Sequence, residues 1–180
     1  MNFLVVIEDN RGSVHRMSKE AIAGVQNLGG NVTALVLGAN AEALAQELSS
    51  IEIDKTLIVN HDMVLTYNSD GYTEVVTKVI QSMDPDVIIA GHSYQTRDFM
   101  PRVSARLDIP FIPDVTMVDG DNYTKQVLNA KLNCTISSSS EKKILSFQSA
   151  CFSEEDMQSG SSNHQTIDID LDSSIINSIS

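Results

Sequence analysis

The chain contains no tryptophan, two cysteines, four prolines and only 5% aromatic residues in 180. Basic residues are also scarce: 12 Lys and Arg stand against 24 Asp and Glu, a formal net charge of -12. That shortage excludes a nucleic-acid role, because phosphate backbones are gripped by clustered Lys and Arg. No apolar run approaches the ~20 residues needed to cross a bilayer, so no membrane role is expected. The first strand-like run begins almost at Met1 and leaves no room for a signal or transit peptide, which predicts a cytoplasmic protein. Cys134 and Cys151 form no CxxC pair, and two reduced, partly buried thiols are expected. His15, His61, His92 and His164 are scattered without an i,i+4 pair, so no metal site is predicted. Ser93 lacks the GxSxG elbow, and no catalytic constellation is expected.

What is present is a regular alternation. Residues 2–7 form an apolar run typical of a strand buried on both faces. Ser18 is the expected cap of a helix carrying Ile22, Val25 and Leu28 on its buried face, ended by Gly29 and Gly30. Residues 32–37 read as a second strand, and Asn40 caps a helix with Leu44, Ala45 and Leu48. Thr56–Val59 is a third strand, followed by a helix from Ser69 or Asp70 that buries Val75, Val76, Val79 and Met83. Asp84-Pro85 stops it, and Val87–Ala90 is a fourth strand leading to a further helix. Strand and helix alternating in this way predict a parallel sheet with helices on both faces. From about Phe111 to Phe152 apolar and polar residues alternate, as antiparallel strands at a sheet edge require, with Cys134–Ile136 and Ile144–Phe147 among them. The fold class is therefore α/β: three layers, α/β/α, with a mostly parallel Rossmann-like sheet and antiparallel edge strands.

Residues 153–166 are polar and aperiodic and read as a solvated connector. Ile167, Ile169 and Leu171 then alternate with Asp168, Asp170 and Asp172, as in a strand with one apolar and one acidic face. The final Ser-Ile-Asn stretch has no core of its own and is expected to fray.

Ligands of open α/β sheets gather beyond the carboxyl ends of the strands. After the first strand, Glu8–Gly12 is neither a dinucleotide fingerprint nor a P-loop, and its carboxylates read as a solvated loop tip. After the fourth strand, Gly91 is expected to let the chain leave the sheet sharply. Ser93, Gln95 and Thr96 then place hydroxyls and an amide near a helix start, a weak candidate site for a nucleotide or anion. Pro101 is harmless only within a first helical turn, so Asp98 is the expected N-cap. Arg97, Arg102 and Arg106 make a basic cluster on an otherwise acidic chain. Helix capping with surface ion pairs and a partner or anion site are both open readings.

The same residues carry a resemblance. Phe3–Glu8, then Val87–Ser93, then Arg97–Asp108 with its RDxxPRxxAxLD pattern, then Ile109–Thr116, resemble electron transfer flavoprotein α subunits in order and spacing. The resemblance covers roughly residues 2–152. It implies an N-terminal α/β domain over 1–152, with 153–180 a polar connector and tail toward a missing C-terminal domain. In the family that C-terminal domain holds FAD, so no FAD site is expected in this chain, where no GRG-type or QTG-type motif occurs. It further implies a β-subunit partner, with electrons passing from flavoprotein dehydrogenases to an acceptor oxidoreductase, and Arg97, Asp98 and Arg102 at the subunit interface. Tyr94-Gln95-Thr96 is similar to the AMP-holding run of the β subunit, although α subunits are not known as AMP binders. Lys125–Lys131 and Phe147–Phe152 depart from the family pattern. The alternative is a stand-alone adenine-nucleotide-binding module of the adenine-nucleotide hydrolase-like type, with no redox role.

Overall fold

The computed structural model describes residues 1–171. In chain order its elements are β1 (Asn2–Val6), β2 (Asp9–Asn10), β3 (Ser13–Val14), α1 (Arg16–Leu28), β4 (Asn31–Leu37), α2 (Ala41–Leu48) and β5 (Lys55–Val59). They continue with α3 (Ser69–Met83), β6 (Val87–Gly91), α4 (Tyr94–Leu107), β7 (Phe111–Asp119), β8 (Asn122–Val127), β9 (Leu132–Ser137), β10 (Lys143–Phe147) and β11 (Asn163–Thr166). The end expected to fray belongs to residues 172–180, outside the described ones.

The main sheet runs β11-β5-β4-β1-β6-β10-β7-β8-β9. Every pairing from β11 through to β7 is parallel, and β7-β8 and β8-β9 are antiparallel. Because β1 pairs with both β4 and β6, the chain order reverses at β1. The crevice between the carboxyl ends of β1 and β6 is thus the switch point of the sheet. Side chains alternate across the sheet and build two cores. Phe3 and Val5 pack with Ile22 and Val25 of α1 and Leu44 and Leu48 of α2. Leu4 and Val6 pack with Val75 and Val79 of α3 and Phe99 and Val103 of α4. The three-layer α/β/α reading is correct. Among the described residues no helix is long and apolar enough to cross a membrane.

Several local expectations need correction. The cap of α1 is His15, whose Nδ1 accepts the Met17 N–H at 3.2 Å. Ser18 is buried instead, and its Oγ accepts the Glu8 N–H at 2.9 Å, fastening the end of β1 to α1. Leu28 stays 38% exposed at the end of α1. Asn68 caps α3 by accepting the Gly71 N–H at 2.7 Å. Ser93, not Asp98, caps α4, and Pro101 lies well inside that helix. Its ring removes one amide from the helix interior, a cost of about 3 kcal/mol. Burial of Phe99, Met100 and Val103 on both sides of the proline opposes that cost.

Strand β10 is the larger correction. Ile144–Phe147 is parallel, not antiparallel, and it lies between β6 and β7 with every residue buried. Ser146 produced the apparent alternation, yet it is 0% exposed. The polar stretch read as connector contains β11, which pairs in parallel with β5 although all its side chains are exposed. Beyond it Ile167 and Ile169 are half-buried and Leu171 buried against the α3 side. The alternation is therefore real, although 167–171 form no strand.

Strand β7 changes direction. Pro113 supplies no N–H, Asp114 has φ 64°, and the pairing register shifts on both sides of this point. A straight strand would carry Asp121 about 33 Å beyond Phe111. Phe111 lies opposite Ile144, the neighbour of Lys143, yet Asp121 Oδ1 lies 3.0 Å from Lys143 Nζ. The chain therefore doubles back after Asp114. The apolar residues of the returning antiparallel layer, Val115, Val118, Tyr123 and Ile136, join the α1-side core.

Candidate functional site

The carboxyl ends of β1, β6 and β10 and the Asp114 bend of β7 meet the starts of α1 and α4. Glycine at 91 has a different cause from the one expected. A Cβ there would lie 2.5 Å from Met17 Cβ and 3.0 Å from the Met17 carbonyl carbon and oxygen. Its smallness lets α1 sit directly on the end of β6, which fixes where His92 and Ser93 emerge.

The hydroxyls of the anion candidate are turned inward. Ser93 Oγ accepts the Thr96 N–H at 3.1 Å and donates to Thr96 Oγ1 at 3.3 Å, and both residues are buried. Gln95 is half-buried and Tyr94 is 88% exposed. The helix start spends the Ser93 hydroxyl on itself.

The basic cluster divides. Arg102 Nη1 meets Asp70 Oδ1 at 2.6 Å and Arg106 Nη1 meets Glu74 Oε2 at 2.6 Å, so both arginines clamp α4 to α3. Asp98 accepts the Tyr67 hydroxyl at 2.6 Å. Burial, then this bond, raises the Tyr67 pKa. Arg97 is exposed and has no ion pair among the described residues. Its guanidinium lies 5.4 Å from the centre of the Tyr94 ring.

The structure adds a cluster that sequence spacing did not reveal. His92 Nδ1 is 2.8 Å from Ser146 Oγ, and His92 Nε2 is 4.0 Å from Asp114 Oδ1. Ser146 Oγ accepts the Asp114 N–H at 3.2 Å, which leaves its own proton for His92 Nδ1. Gln148 Nε2 donates to Asp114 Oδ2 at 3.4 Å. Burial lowers the His92 pKa, Asp114 opposes this more weakly, and Arg97 and Lys125 reinforce it. A neutral imidazole thus bridges β6, β7 and β10. A serine, histidine and aspartate in contact suggest a nucleophile, but Ser146 is fully buried in mid-sheet, and a substrate carbonyl has no way to reach it. The only signal in the sequence was that His92 and Asp114 both fall in motifs shared with the resembling family.

Opposite this cluster lies an acidic wall. Arg11 and Gly12 have φ of 56° and 89°, the turn of the two-residue β2–β3 hairpin. Asp9 Oδ1 accepts the Gly12 N–H at 2.6 Å and Oδ2 accepts Asn40 Nδ2 at 2.7 Å. Tyr72 is pushed up to about 12 by burial, then by Asp9 and Glu8. The residues present do not fit the pyrophosphate of a dinucleotide. Carboxylates flank the switch point, the glycine is filled by α1, the Ser93 hydroxyl is committed within the helix start, and Thr96 is buried. Among the described residues no group of three or more His, Cys, Asp or Glu is placed to hold a metal ion.

Comparison with known proteins gives one family. The model of the electron transfer flavoprotein domain matches residues 3–172. Among relatives, the chain is 32% identical over 134 residues to electron transfer flavoprotein subunit alpha of Bacillus subtilis, covering 71% of this chain and 41% of that protein. It is 30% identical over 151 residues to a probable mitochondrial electron transfer flavoprotein subunit alpha of Caenorhabditis elegans, covering 83% and 46%. It is 30% identical over 121 residues to the acryloyl-CoA reductase electron transfer subunit beta of Anaerotignum propionicum, covering 65% and 33%. The chain spans less than half the length of each of these relatives.

Proposed function

This chain belongs to the electron transfer flavoprotein domain family, and from that premise we propose that it is the N-terminal scaffold domain of an α subunit. It organises a heterodimer with a β subunit and is an electron-carrier part, not an enzyme. FAD sits in a C-terminal domain, and the assembly passes electrons from flavoprotein dehydrogenases to an acceptor. The observation that carries this reading is the family match along nearly the whole chain. The inward-turned Ser93 and Thr96 support it from the other side, because they argue against a nucleotide grip in this domain.

The exposed face of α4, with Arg97, Asp98 and Arg102, receives the β subunit in this reading. Arg97 is its principal contact, since Arg102 already has an intrachain partner. Co-expression with a family β subunit, followed by size-exclusion chromatography, tests this. The two should co-elute, and Arg97→Ala should weaken association while changing stability by no more than about 0.5 kcal/mol. Normal pairing by the variant would remove Arg97 from the interface, and no pairing by the native chain would sink the scaffold reading. The purified chain should also be colourless, so flavin absorbance retained through gel filtration would contradict the placement of FAD. AMP should bind no tighter than about millimolar, near -4 kcal/mol. A low-micromolar constant abolished by Thr96→Ala would instead favour a stand-alone nucleotide module.

A further inference from the structure

The amino ends of the strands, opposite the crevice described above, enclose a second concavity. It arises because β7 doubles back, so its floor and its wall come from different layers. Phe3 and Val87 rise from the starts of β1 and β6 and Leu145 from the middle of β10, Leu28 closes the side at the end of α1, and Val118 and Tyr123 come from the returning layer. The volume is about 280 Å³. A dry cavity of about 150 Å³ holds benzene, so this one admits a body of six to eight carbons.

One cation lies in these apolar walls. Lys143 is only 5% exposed, and among the described residues its ammonium has a single ion-pair partner, Asp121 Oδ1 at 3.0 Å. The Tyr123 ring centre is 5.8 Å from Nζ. Burial works to lower the Lys143 pKa, but hydrogen bonding to Asp121 and Tyr123 outweighs it, so the group is charged at neutral pH. Taking an ammonium out of water is expensive, and an apolar side chain of similar volume usually serves packing as well or better. The partner carboxylate sits at the rim, where the Asp121 side chain is 71% exposed and follows Gly120 on the β7–β8 turn. An ammonium has three N–H groups; Asp121 takes one and Tyr123 meets a second, which leaves one for a further acceptor.

We propose that this crevice is a binding site for a small carboxylate with an apolar body, whose head group joins Asp121 on Lys143 while its chain lies against Phe3, Leu28, Val87 and Leu145. The ligand class follows from one buried cation at the end of an apolar hollow. It is independent of the subunit reading, since the site lies at the opposite end of the strands from α4's capped start.

Titration calorimetry with octanoate and with 1-octanol, its neutral counterpart, tests the assignment. Octanoate should saturate one site with a submillimolar constant, and octanol should bind at least about tenfold more weakly. Lys143→Met should erase that preference. Leu28→Trp, at a partly exposed position, should fill the hollow and abolish octanoate binding in a chain that keeps its far-ultraviolet dichroism. The proposal is overturned if octanoate fails to saturate the native chain below about 10 mM, or if octanol binds equally well. Undiminished octanoate binding by folded Lys143→Met or by Leu28→Trp overturns it as well. Should Lys143→Met not fold, the Leu28→Trp result decides alone.

Discussion

Gly91→Ala isolates the contact that positions the switch-point loops. The added methyl meets Met17 Cβ at 2.5 Å, closer than real methyls tolerate, and the Met17 carbonyl group at 3.0 Å, tighter than most real contacts. These atoms belong to the backbone and root of α1, so relief requires the helix to move. Ser18, one residue on, ties that helix to β1 through the Glu8 N–H. Overpacking of this kind costs about 1–3 kcal/mol, and the obstacle being backbone places the cost near the upper end. Loss of glycine's freedom in the unfolded chain returns about 0.4–1 kcal/mol. The net expectation is a loss of about 2 kcal/mol, or about 4–8 °C in Tm for a chain of this size.

Two other glycines serve as controls. At Gly24 a methyl meets ring carbons of Phe152 and Phe147 at 2.8–2.9 Å, which can tilt, and alanine's helix propensity returns about 1 kcal/mol. Gly24→Ala should therefore cost distinctly less. At Gly120 nothing lies within 4 Å and φ is +57°, so alanine should lose only about 1–2 kcal/mol, from conformation. Urea denaturation of the three variants, with unchanged m values, gives the ranking. If Gly91→Ala falls within about 0.5 kcal/mol of the native chain, the close approach of α1 does not govern this end of β6.

Three further outcomes can be checked alongside. The folded pKa of His92 lies below its ordinary 6.5, so the unfolded chain binds more protons in the interval between the two values. Stability should thus be complete above about 6.5 and decline as pH falls toward the folded value; comparing urea midpoints of native and His92→Gln chains at pH 5 and 7.5 isolates this, and an identical pH response in both would refute it. Burial, then Glu20, pushes the Cys151 thiol up to about 11, whereas Cys134 is exposed on β9, so Ellman's reagent at pH 8 should modify Cys134 first, and equal rates would contradict the structure. At the β8–β9 turn Leu128, Asn129 and Ala130 all have φ between 53° and 61°; Ala130→Gly should stabilise the chain by about 1 kcal/mol, and an unchanged urea midpoint would show that the strain is absent.

The repeating strand-helix frame was legible because parallel strands covered on both faces need unbroken apolar runs. Residues 2–7, 32–37 and 87–90 supply them. What failed were features settled by a distant partner. Ser18 looks like a cap in isolation, but the Glu8 N–H takes its hydroxyl, and His15 caps α1 instead. Pro101 looks like the first turn of a helix, but Ser93 caps the chain earlier, and the buried Phe99, Met100 and Val103 hold the helix through the proline. Ser146 looks like the wet side of an edge strand, but the Asp114 N–H and His92 satisfy it inside the sheet, so it can be fully buried. Strand β11 has no apolar residue to betray it and rests on backbone bonding to β5. The expectation of two partly buried thiols holds for Cys151 and fails for Cys134, which an edge strand leaves exposed.

The bend at Pro113-Asp114 explains why the candidate sites were hardest to read. Asp114 reaches His92 because the chain pauses at the carboxyl end of the sheet, in a left-handed conformation that aspartate tolerates better than most residues. The returning layer then carries Lys125 back to the carboxyl end, beside His92, and Asp121 to the amino end, beside Lys143. One reversal therefore builds the polar bridge at one end of the strands and the cation-bearing hollow at the other. Neither can be inferred from the spacing of its members, since both depend on a change of direction whose local signal is a single proline followed by an aspartate.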